Sequence, residues 1–139
     1  MQINKHECVL LYTNVLFLIP LFLGIEHKEW GYTALIGVFI ISSTVYHLFR
    51  KPGAEWWWHT KGRNLFQTFS LLLEITLAAT LAVWGSWLLV NKSWTIFAVA
   101  TIIFIPSFIL FLSTDYKKYP LYHSIWHIGS AAIMILVLI

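Results

Sequence analysis

The sequence predicts an all-α integral membrane protein, a bundle of about five transmembrane helices. Two observations carry that expectation. Of 139 residues, 59% are hydrophobic and 11% charged, where a soluble domain has roughly 45–50% apolar and about 25% charged residues. The apolar residues are also clustered, in runs close to the ~20 residues that cross a hydrocarbon core as a helix. Lipid offers the backbone no hydrogen-bond partners, so such runs must form helices or closed barrels. The short alternating segments of a barrel are absent.

The spans follow in order. Span 1 covers about residues 8–25, with Pro20 near its far end. Lys5 ahead of an apolar run has the outline of a signal peptide. No small-x-small cleavage site follows, and Glu26-His27-Lys28-Glu29 comes next, so the segment is expected to be retained. Cys8 is the single cysteine, which excludes an intrachain disulfide and leaves it the role of a small buried hydrophobe. Span 2 covers 31–49. A polar segment follows, with a turn at Pro52-Gly53 and the run Trp56-Trp57-Trp58-His59. Span 3, about 63–90, is long for one crossing and too short for two, and Gly85-Ser86 is expected to loosen its end. Span 4, 93–112, is expected to kink at Pro106. Asp115 to Pro120 separates it from span 5, 121–139. No repeat or second domain is visible in the sequence.

Charge placement predicts orientation. Lys5, Arg50, Lys51, Lys61, Arg63, Lys117 and Lys118 fall on one side, and only Lys28 and Lys92 on the other. The excess of positive charge on cytoplasmic loops then puts the N-terminus in the cytoplasm and the C-terminus outside. Trp30, Trp84, Trp87 and Trp94 fall at the outer ends and Trp56–Trp58 at the inner side, as interfacial belts do. The formal charge of +3 is spread over short connections, with no basic stripe or arm, so no nucleic-acid partner is expected.

Ionisable groups inside spans are costly and mark function by default. Ser43 and His47 lie four apart on span 2, and His123 and His127 four apart on span 5, so each pair shares a helix face. Glu74 is the only acidic residue deep in an apolar run. His47 is near the end of its span and the other two histidines near the start of theirs, so a rise of 1.5 Å per residue places all three within roughly 10 Å of the same face. Three histidines with an open fourth position form a known catalytic zinc arrangement, and zinc held so activates water near neutral pH. Ser43, one turn deeper than His47, could donate to an oxyanion or orient a carbonyl. The plain alternative is interhelical hydrogen bonding by these groups, at about 0.6 kcal/mol each.

The residues Ser43, Tyr46-His47, Pro52-Gly53 and His123-Ser124-Ile125-Trp126-His127 resemble motifs of the superfamily of alkaline ceramidases and progestin/adipoQ-type receptors. They are closest to its myomaker and GPI-anchor phospholipase branch. The motifs cover about a third of the chain, and the middle of the chain matches nothing in the family. The resemblance implies zinc held by His47, His123 and His127, Ser43 as a neighbouring active-site group, and hydrolysis of an amide or ester bond in a membrane lipid that enters between helices. Two departures stand out. The family core has seven spans, so the resemblance implies a shortened member whose cavity wall would need a homo-oligomer or a partner membrane protein, or would stay incomplete. The family aspartate early in span 3 is also missing. Asn64 matches its position. Glu74 has its chemistry but sits ten residues further along, ~15 Å by helix rise. His59 is a third candidate and suits an interfacial site better.

Three functions fit these residues: a membrane-embedded zinc hydrolase of a lipid amide or ester, with Ser43, Asn64 and Glu74 as catalytic candidates; a metal-bearing but non-catalytic receptor or remodelling factor; and a small oligomeric channel or membrane-disrupting effector with Glu74 lining its pore.

Overall fold

The fold comes from a computed structural model that describes residues 5–50, 64–112 and 118–139, with backbone alone for 5–7. The Lys5 side chain, the Pro52-Gly53 turn, Trp56–Trp58, His59, Lys51, Lys61, Arg63, Asp115 and Lys117 lie outside the described residues. Those described are helical with no strand, and five helical segments are long and apolar enough to cross a membrane.

The first segment, Cys8–Glu26, combines α1 (Lys5–Asn14), a 3-10 turn (Val15–Phe17) and α2 (Leu18–Glu26). Pro20 accounts for the 3-10 turn: it has no N–H to give Leu16, and its ring crowds that carbonyl. The α2 helix closes on Lys28 at φ 62°, with Lys28 N–H donating to the Ile25 carbonyl and Glu29 N–H to the Gly24 carbonyl. This is a Schellman stop, with lysine where glycine is usual.

The remaining helices are α3 (Trp30–Phe49), α4 (Leu65–Lys92), α5 (Trp94–Phe111) and α6 (Tyr119–Leu138). Asn64 caps α4: its side chain accepts from Gln67 N–H at 2.9 Å, and Gln67 Oε1 accepts from Asn64 N–H at 3.2 Å. Ser93 caps α5. The α4 helix passes through Gly85-Ser86 without loosening. Gly85 serves packing instead, because a Cβ there would stand 2.7 Å from the Tyr32 hydroxyl. The α5 helix likewise continues through Pro106.

The core is Phe17, Tyr32, Ile36 and Phe39 packed on Leu81, Ala131 and Met134, all buried. Outward-facing Ile41, Leu65, Val83 and Ile102 are each more than 60% exposed, a surface that lipid would cover. Trp30, Trp87 and Trp94 are also exposed, at the end of the bundle reached by the start of α3 and the α4–α5 junction. Cys8 is half-buried rather than buried.

Candidate metal centre and cavity

The polar groups gather at the opposite end of the bundle. Gln67 fixes that end by donating its side-chain amide to the Phe49 carbonyl at 2.8 Å, which pins the start of α4 to the end of α3. His47 lies two residues before Phe49, and Glu74 two turns beyond Gln67. Helical side chains tilt toward their own N-terminus. The antiparallel α3 and α4 therefore lean His47 and Glu74 toward each other, and His47 Nε2 comes within 3.7 Å of Glu74 Oε1.

His123 and His127, on the first turns of α6, complete the group. Ring centroids are 5.1 Å apart for His47–His123, 5.6 Å for His47–His127 and 4.7 Å for His123–His127. One donor atom from each of His47, Glu74, His123 and His127 lies within 4.8 Å of the other three, and all four side chains are buried. Bonds of about 2.1 Å set tetrahedral donors about 3.4 Å apart. Shifts of about 1 Å, within the reach of side-chain torsions, would close these groups on one ion.

Two further observations test the fit. Thr13 donates its hydroxyl to the Leu10 carbonyl at 2.9 Å and lies 2.7 Å from His127 Nδ1. A hydroxyl has one proton; with that proton given to Leu10, Nδ1 carries the hydrogen and donates to Thr13. That leaves the Nε2 lone pair of His127 available as a ligand, the arrangement that outer partners impose on metal-binding histidines. Second, His123 Nδ1 is buried with no hydrogen-bond partner among the described residues. Such an atom is costly unless something else engages it. The donor set, three imidazoles and a carboxylate, suits a divalent transition ion.

The remaining candidates divide. Ser43 is fully buried and donates to Asn14 Oδ1 at 3.3 Å, while Asn14 donates to Thr44 at 3.4 Å. Its hydroxyl proton is thus engaged with α1 rather than directed at a substrate carbonyl. Asn64 is exposed and occupied as a helix cap. The structure therefore joins Glu74, not Asn64, to the histidines. Thr13 and Asn14 were missed by sequence reasoning. Their signal was available, since they are the only adjacent polar pair inside the first apolar run.

Beside the cluster lies a cavity of about 340 Å³, with Glu74, His123, Arg50, Tyr46 and Tyr119 at its polar end and Leu71, Ala78, Ala82, Phe104 and Trp126 along it. A second cavity of about 490 Å³ shares Phe39, Ala78, Ala82, Val83, Phe104 and Trp126 with the first and continues to Leu89 and Phe97. Together they run among α3, α4, α5 and α6, each of which lines both. Comparisons with protein-family models, curated proteins and solved structures found no match for the chain.

Proposed function

We propose that the protein is a membrane-embedded, zinc-dependent hydrolase of a lipid amide or ester bond, a shortened relative of the alkaline ceramidase and progestin/adipoQ receptor superfamily. The observation that carries this reading is the His47–Glu74–His123–His127 group beside an apolar cavity, into whose wall it contributes Glu74 and His123. His47, His123 and His127 would hold the ion, which when bound supplies Lewis-acid activation of water and of a carbonyl.

The chain's own residues would do the rest. The lined cavity takes the apolar body of the lipid and keeps bulk water from it. Glu74, which faces both the histidines and the cavity, moves the proton: it accepts one from the attacking water and returns it to the leaving oxygen or nitrogen. Water thereby adds across the acyl bond, which breaks to give an acid and an alcohol or amine. Ser43 steadies α3 against α1 through Asn14. The Lys and Arg distribution puts this end of the bundle at the cytoplasmic face. The flank between α4 and α5 is where a second copy or a partner membrane protein would complete the wall.

Metal analysis tests the reading. Purified protein is expected to carry near-stoichiometric zinc and His127→Ala to lose it. Wild-type metal content in His127→Ala would overturn the assignment. A second reading is favoured by the 3.7 Å approach of Glu74 to His47. If Glu74 is a fourth ligand, the site is closed, as structural zinc sites are, and the protein is a metal-bearing receptor or remodelling factor without turnover. The channel reading has less support, because the cavities beyond the cluster are lined mainly by apolar side chains and carry no charged one, with Tyr32, Ser86, Thr101 and Ser130 as their polar groups.

A further inference from the structure

The second cavity, of about 490 Å³, reaches toward the end of the bundle away from the metal cluster, and no donor atom of the cluster lines it. Gly85 fixes its level. A Cβ there would stand 2.7 Å from the Tyr32 hydroxyl and 3.2 Å from Val137 Cγ2. Ser86, the next residue, is therefore level with the last turn of α6. Trp84 and Trp87 flank it and are exposed, as aromatic side chains at a membrane interface are. Ser86 and Val83 line the cavity and are themselves exposed. They mark its mouth, at the headgroup level of the membrane face opposite the cluster.

Two hydroxyls serve that end. Tyr32 gives its proton to the Leu81 carbonyl at 3.4 Å, which leaves the phenolic oxygen able to accept. On α4, Thr76 and Thr80 each spend their proton on the carbonyl four residues back, at 2.8 Å. Ser86 makes no hydrogen bond among the described residues, so it can donate and accept. Further in, Thr101 is spent on the Phe97 carbonyl, and Ala100, Ile133, Met134 and Trp126 form an apolar wall broken by Ser130.

We infer that the second cavity is a separate binding site for an uncharged, single-chain lipid with a hydroxyl headgroup, entering from the membrane face opposite the metal cluster. Ligand sites are concave, mostly apolar and roughly 300–1,000 Å³ in volume, with a few placed polar groups, and this cavity has each of those properties. At roughly 30 Å³ per heavy atom, the share of a water in the liquid, it takes about 16 such atoms: one long chain, not two. No charged side chain lines it, so a carboxylate or phosphate would enter without a partner, at high cost. A hydroxyl head matches a mouth that both gives and takes a hydrogen bond. The inference does not rest on the hydrolase reading.

The test adds 1-oleoylglycerol to purified protein in detergent and reads binding by native mass spectrometry, beside oleate and dioleoylglycerol. One 1-oleoylglycerol per chain is expected, saturably. Ser130→Phe, whose ring fills the cavity, should abolish that binding. Ser86→Ala should weaken it about fivefold, the loss of one neutral hydrogen bond. A diazirine at the chain end should label α5 and α6 near Phe104 and Trp126. Binding that never saturates, or that both variants leave unchanged, would mean surrounding lipid only and overturn the site. Equal binding of oleate or dioleoylglycerol would overturn the ligand class. Loss of binding in His127→Ala would move the lipid to the first cavity and overturn the separate site. If Ser130→Phe loses its helicity, Ser86→Ala and the label decide between these outcomes. A protein that carries no zinc and still binds 1-oleoylglycerol in this way would refute the hydrolase reading and keep the site.

Discussion

Helices α3 and α6 differ from α4 and α5 in how much of themselves they hide. In the most apolar stretch of α3 and of α6, 44% of residues are buried, against 22% in α4 and 11% in α5. The first pair carries all three clustered histidines, backed by α1 through Thr13 and Asn14. The second pair completes the wall of the space that α3 and α6 also line, and α4 adds the carboxylate. Donor atoms need fixed positions, so they sit where packing restricts torsions. The proposed lipid would need room and an entrance, and the cavity lies where packing is thin.

The sharpest way to break this comparison is Glu74→Gln. If the carboxylate belongs with the cavity and moves a proton, zinc content stays near wild type while lipid turnover falls by about 10²–10⁴. Metal analysis and a hydrolysis assay on the same sample check this. Loss of zinc together with turnover would instead make Glu74 a ligand and favour the closed, non-catalytic site. A smaller effect is expected from Thr13→Val, which keeps the shape but removes the acceptor for the His127 Nδ1 proton. Zinc affinity should fall about 10–100-fold, measured by competition with a chelator. An unchanged affinity would mean that packing alone orients the ring. The smallest effect is expected from Asn64→Ala: a loss of about 1 kcal/mol of helix stability in a denaturation series, with zinc and turnover intact. Collapse of turnover there would restore Asn64 as the active-site group.

The five apolar segments were legible because lipid imposes a length and composition that few other environments tolerate. Span 3 was expected over 63–90 and α4 runs Leu65–Lys92. The histidines were legible from their four-residue spacing and common depth. The Asn64-or-Glu74 question was not. Counting rise along one helix placed Glu74 too far in, because rise ignores the tilt of side chains and the antiparallel pairing that brings His47 to meet it. Gly85 was misread for a similar reason: sequence shows a flexible residue but not the Tyr32 hydroxyl that requires its small size. Thr13 escaped because its role depends on a residue 114 positions away.

That long separation bears on the order of synthesis. The Thr13–His127 contact joins a helix made early to one made late, and the two α6 histidines emerge after every other residue of the cluster. While the chain is being threaded into the membrane, His47 and Glu74 alone can offer a cation no more than a two-point hold. Metal capture at the proposed site would therefore be a finishing event, and a nascent chain stalled before α6 would leave the insertion machinery without an ion.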